Sequence, residues 1–198
     1  MKKTLFLTLI FSNLIFSQNI DFEGFMNFSY SNNSGEIHLE VNNLDKEFLY
    51  INSLSRGIGN NDLGLDRGQL GNTRIVFFTK RGNKILMVQP NTRYVSNSDN
   101  YLENKAVEEA FARSVLFSFE IIEEKNNNYI IDLTPLLMND AHGVSQRLRF
   151  SNSGNYSLNK SMSAIELDRT KAFPKNIEFD VILTFTGNPI GNLVRSVT

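Results

Sequence analysis

Residues 73–90 read TRIVFFTKRGNKILMVQP. Two runs of aromatic and β-branched residues flank the charged turn KRGN, centred on Gly82. That is the pattern of an antiparallel hairpin. The same pattern recurs upstream. GFMNFSYSNNSGEIHLEV, from Gly24, places two alternating segments around the turn-rich SNNSG. On its second strand Ile37, Leu39 and Val41 share one face, and Glu36, His38 and Glu40 share the other. EFLYINSL, from Glu47, is a third strand. Downstream, NYIIDL is a short strand and IEFDVILTFTG alternates from Ile177 to Phe185 as a half-buried one, with the segment SAIELDRT as its expected partner.

Helical periodicity is confined to two places. NYLENKAVEEAFARSVLFSF puts Val107, Ala110, Phe111, Ser114 and Val115 on one face, with Asn100 as N-cap and Glu103 three residues on. This predicts the main amphipathic helix over about residues 101–118, lying on a sheet, its apolar stripe core rather than a partner groove. TPLLMNDAHG predicts a short second helix over about 134–142, with Thr134 as cap, Pro135 at the first helical position and a stop at Gly143. The expected fold is therefore α+β and β-dominated, built of antiparallel hairpins. Strands and helices do not alternate as a doubly wound sheet requires.

Composition sets outer bounds. The 198 residues suit one domain of ordinary size. With 41% hydrophobic and 21% charged residues, the chain is globular in character. The formal charge of -1 points neither to nucleic acid nor to an anionic membrane surface. Lys2, Lys3 and the apolar TLFLTLIFSNLIF form the n- and h-regions of a signal peptide. A cut after Ser17 is expected, followed by one β-rich domain over 18–187 and a truncated linker or tail over 188–198. The expected location is exported, periplasmic or extracellular. With no cysteine, neither a disulfide nor a lipid anchor on a processed N-terminal cysteine is expected.

Each local chemistry has a plainer structural alternative. SRGIGNNDLGLDRGQLGNTR, residues 55–74, holds five of the twelve glycines. A dinucleotide fingerprint fails there: Asp62 stands where the third glycine belongs, and a strand follows instead of a helix. Asn60, Asn61, Asp62 and Asp66 lack the spacing of a calcium loop. Glu36, His38 and Glu40 are better explained as the solvated side of a hairpin, and His142 as a turn or interface residue, than as metal ligands. The sequence contains neither H-E-x-x-H nor G-x-S-x-G. No catalytic residue is assigned.

The order of segments carries more. FLYINSLSRGIGNNDLGLDRGQLGNTRIVFF, ILMVQPNTRYV, AVEEAFARSVLFSF, DLTPLLMNDAHGV and AFPKNIEFDVILTF follow one another here. From about Gly24 to Gly187 the chain resembles the N-terminal domain of unknown function of large exported bacterial zinc-dependent metalloproteases, with GLDRGQLG and KAFPKN the most specific parts. The resemblance implies a non-catalytic accessory domain that aids folding or shapes access to a catalytic domain. Its implied partner is that catalytic domain, in cis or in trans. Zinc is expected only there, and no cofactor in these 198 residues. The glycine-rich loop would then be an interdomain or substrate-side surface, with Asp62, Asp66, Arg67, Gln69 and Arg74 as its candidate residues. The structural alternative is a loop packed internally, which Asp66 and Arg67 hold shut. The competing function is an independent exported binding module, taking a peptide or glycan in a groove between sheet and helix.

Overall fold

The computed structural model describes residues 19–194. The export segment expected over 1–17 and the end of the expected tail, 195–198, lie outside the described residues. The fold is α+β and dominated by antiparallel strands. Strands β1 (Asn19–Phe22), β2 (Phe28–Ser31) and β3 (Ile37–Val41) form one meander. Strands β4 (Phe48–Tyr50), β5 (Arg74–Arg81), β6 (Lys84–Gln89), β7 (Ser114–Lys125) and β8 (Asn128–Asp132) form another. The two meanders join where β3 pairs with β8, giving one sheet in the order β1-β2-β3-β8-β7-β6-β5-β4.

This order forces the sheet to curl. In a flat sheet β3 and β4 would lie five strand spacings apart, about 24 Å. Residues 42–47 would then need nearly full extension, since seven steps from Val41 to Phe48 reach roughly 24 Å. The link instead turns at Asp45, where φ is 58°. Curling also brings Phe25, after β1, to within 6.4 Å of the Phe48 ring on β4, although these strands are the two ends of the order. The concave face encloses the main core: Ile37, Leu39, Val76, Ile85, Met87, Ile131 and the rings of Phe28, Phe78 and Phe119. The 73–90 hairpin forms as expected, with Arg81 opposite Lys84 across the Gly82 turn.

The helices differ from expectation. Helix α1 spans Tyr101–Ala110 and starts where predicted, with the Asn100 Oδ1 accepting from the Leu102 N–H at 2.9 Å. It ends at Phe111, not near residue 118, because Ser114 onward is β7. The run SVLFSF is aromatic and β-branched, and its pairing with β6 decides its state, while β8 pairs with the rest of β7 from Ile121. Helix α1 buries no residue, so its apolar stripe is not core. The second helix, α2, is only Thr134–Leu137. Leu133, not Thr134, holds the N-cap position, and the Asp132 Oδ1 before it accepts from the Thr134 N–H at 2.9 Å. The Thr134 hydroxyl instead accepts from the Ile37 N–H. Gly143 does not stop that helix. It precedes an unexpected third one, α3 (Val144–Phe150), whose first amides, Val144 and Ser145, donate to the Asp140 carboxylate.

The remaining chain forms three small antiparallel pairs. Strand β9 (Gly154–Leu158) is followed by β10 (Ala164–Ile165), β11 (Lys171–Phe173), β12 (Asn176–Glu178), β13 (Val181–Ile182) and β14 (Phe185–Pro189). The single strand expected over 177–185 is thus broken into three. Its expected partner is right in part, since β10 within SAIELDRT pairs with β13. β11 pairs with β12, and β14 with β9. The segment 188–198 is not a free linker as far as Val194: it completes β14, and Val194 is buried. Val194 belongs to a second core with Leu63, Leu65, Val144, Leu148 and Tyr156.

Candidate functional site

The glycine-rich stretch belongs to this second core. Asn60 organises its first half. Its Oδ1 accepts from the Asp62 N–H at 2.9 Å, and its Nδ2 donates to the Leu193 carbonyl at 2.9 Å. A single 3-10 turn, Asn61–Leu63, follows, and Leu63 and Leu65 point inward. The Gly64 carbonyl accepts from Arg147 Nη1 of α3 at 2.6 Å. Gly57 lies where the two halves of the loop cross: a Cβ there would meet the Leu65 carbonyl at 3.0 Å and the Arg67 nitrogen at 3.1 Å. The start is tied down by Ser55 Oγ, 3.1 Å from Asp180 Oδ1, and Asp180 also pairs with Arg169 at 2.6 Å. The second half extends the β4–β5 ladder. Leu54 N–H donates to the Gln69 carbonyl, Gly68 N–H to Leu54, and Gly71 N–H to Asn52, around a bridge between Ser53 and Leu70.

The loop is therefore internally packed, but by its leucines and backbone bonds, not by an Asp66–Arg67 lock. Among the described residues neither Asp66 nor Arg67 forms an ion pair. Both are exposed, as is Asp62. Gln69 turns inward, and its Oε1 is buried without a partner among the described residues. Arg74 is separated from the others. It lies on β5 opposite Tyr50, and its Nη1 donates to Gln89 Oε1 at 2.6 Å. Burial raises the Tyr50 hydroxyl pKa, and the Arg74 charge opposes that rise. On the hairpin, Glu40 accepts from Asn27 and Asn128, and His38 lies 3.4 Å from Glu36, an outer-face arrangement.

Sequence analysis missed a surface that adjoins the loop. Leu49 faces Ile75 across β4 and β5, Ile51 lies two residues along the same face, and Leu70 faces Ser53. All four apolar side chains are exposed, Leu49 at 63% and Leu70 at 65%. They form a row on the outer face of the sheet edge, with the Asp66–Gln69 turn at one end. The signal was in FLYI: a strand apolar on both faces is a strand covered on both. Phe48 and Tyr50 pack against the main core, whereas Leu49 and Ile51 are exposed.

His142 sits where this surface meets α3. Burial pushes its pKa below the ordinary 6.5. A backbone hydrogen bond with Ser53 opposes the shift, Arg147 adds to it, and Asp140 opposes it. Its Nε2 is buried without a partner among the described residues, so a proton there would have no acceptor. The unfolded chain then takes up a proton at higher pH than the native one. The stability contributed by neutral His142 is full above 6.5 and is lost as pH falls from there through the lower native pKa. A His142→Gln variant is expected to lose less stability than the parent between pH 7 and 5, as followed by thermal melts. Parallel curves for the two proteins would refute that role.

Against known proteins, the family model described as Domain of unknown function (DUF5117) matches residues 68–198, more than half of the chain. The chain belongs to the DUF5117 family. The DUF5117 match starts within the glycine-rich loop and leaves out β1 to β4. The sheet crosses that boundary, because β3 pairs with β8 and β4 with β5. No curated protein and no solved structure matches the chain.

Proposed function

We propose that this chain is a non-catalytic accessory domain of an exported zinc-dependent metalloprotease, docking on the catalytic domain to aid its folding or shape access to its active site. The observation that supports this reading is the apolar row Leu49, Ile51, Leu70 and Ile75 beside an internally braced loop. A row of this kind marks an interaction surface, because a solvated sheet face carries polar residues. Asp66 and Arg67, exposed at its end, supply charges that steer and register a partner more than they add affinity. Export rests on the n- and h-region pattern of the first residues, and zinc belongs to the partner.

The test uses a separately produced H-E-x-x-H catalytic domain from a protein that carries both domains, with binding followed by calorimetry. The double substitution Leu49→Ser, Ile75→Ser is expected to weaken association by about tenfold or more. Asp66→Asn with Arg67→Gln is expected to weaken it several-fold, with a melting temperature within about 1 °C of the parent. Unchanged association in both variants would remove the docking surface, and failure of the parent to associate would remove the reading.

A further inference from the structure

A second concavity lies on the outside of the sheet, where residues 90–113 leave β6 and return to β7. We propose that this groove, between α1 and the convex face, binds an extended peptide segment presenting a lysine or arginine next to an apolar residue. The groove is about 530 Å³, within the range of ligand sites. Its apolar surface comes from Phe77, Val107 and Phe111, and its rim includes Asp45 and Glu47.

Charge identifies the occupant. Of the charged groups lining the groove, Glu108 and Arg113 neutralise one another at 2.7 Å, and the Arg113 guanidinium also lies 5.9 Å over the Phe77 ring. Asp45 and Glu47 have no ion pair among the described residues, and Lys46 between them does not line the groove. Two uncompensated carboxylates above an apolar floor suit a cationic head on an aliphatic stem, with an apolar neighbour on the floor. A sugar fits less well. The ring that would stack on it, Tyr94, is already covered by Phe111 at 4.1 Å with 11° between planes, and by the Arg93 guanidinium at 5.4 Å. Asn91 holds this arrangement, accepting from the Arg93 and Tyr94 amides and donating to the Tyr94 carbonyl.

The experiment is fluorescence anisotropy on the full chain, with labelled peptides of repeated Gly-Lys-Leu or repeated Gly-Glu-Leu. The lysine peptide is expected to bind at least about tenfold more tightly than its glutamate counterpart. Asp45→Asn with Glu47→Gln should remove that preference while leaving the melting temperature unchanged, because asparagine also accepts the positive φ at position 45. Val107→Arg, which places a cation in the groove from an exposed helix, should also weaken lysine-peptide binding. Excess maltohexaose should not displace the peptide. Equal binding of the two peptides, an unaltered preference in the Asp45/Glu47 variant, displacement by maltohexaose, or no peptide binding would each overturn the proposal. None of these outcomes bears on the Leu49–Ile75 surface.

Discussion

Phe78→Ala is expected to destabilise the protein by about 3–5 kcal/mol, which for a chain of this size lowers the melting temperature by roughly 10 °C. Phe78 is 2% exposed and lies on β5 at the centre of an aromatic chain. Its ring is 5.2 Å from Phe48 on one side and 6.2 Å, edge-on, from Phe119 on the other. Truncation removes the buried ring, leaves a cavity that paired strands cannot readily close, and cuts both ring contacts, each worth about 0.5–1.5 kcal/mol beyond its area. It also removes what the β4 edge leans on, since Phe48 packs against Phe78. Phe150→Ala is the control: at 75% exposed, that ring should matter by no more than about 0.5 kcal/mol. Thermal melts of the three proteins decide it. A loss below about 1 kcal/mol for Phe78→Ala would mean that the concave face does not close around this ring.

What the sequence disclosed and what it concealed follow a physical line. Hairpins were legible because both partners and their turn are local. The 73–90 pair needs only alternation and Gly82. The start of α1 was legible because its cap is two residues from the amide it serves. Its end was not. Val107, Phe111 and Val115 fall at helical spacing, but Ser114–Glu120 is claimed by β6, which lies before the helix in sequence, and Ile121–Lys125 by β8. The β3–β8 pairing joins His38–Val41 to Tyr129–Asp132 and leaves no local trace. The same limit applied to the glycine-rich loop. Its glycines and charges drew attention, yet Leu63 and Leu65 fix its position, and their partners Leu148 and Val194 are remote in sequence. Arg74 fell in with the loop by proximity in sequence, whereas pairing puts it opposite Tyr50 on β4.

Gly154→Ala should have the other large effect, about 3 kcal/mol or more, and it should act first on the second core. Gly154 has φ of 124°, a region that side-chain-bearing residues rarely enter. Any Cβ there would also run into the Asn188 carbonyl on the paired strand and approach the Tyr156 ring at 3.1 Å. Neither neighbour can yield cheaply. Asn188 is held in the β9–β14 ladder, and Tyr156 is itself buried in the second core. Relief therefore requires β14 to move off β9. That displaces the segment leading to Val194 and, through the Asn60–Leu193 bond, the glycine-rich loop. Trypsin provides the local readout, because Arg67 is exposed on that loop. Early cleavage after Arg67, with amide protection retained in β5–β7, would show that the second core opens while the sheet persists. Simultaneous loss of both would show one cooperative unit, and an unchanged melt with no cleavage would refute the clash. The first outcome bears on docking. A loop released from Leu148 and Val194 no longer presents Asp66 and Arg67 in register with the Leu49–Ile75 row. On the proposed function, association with a catalytic domain should then fall in Gly154→Ala even though every residue of that surface is intact.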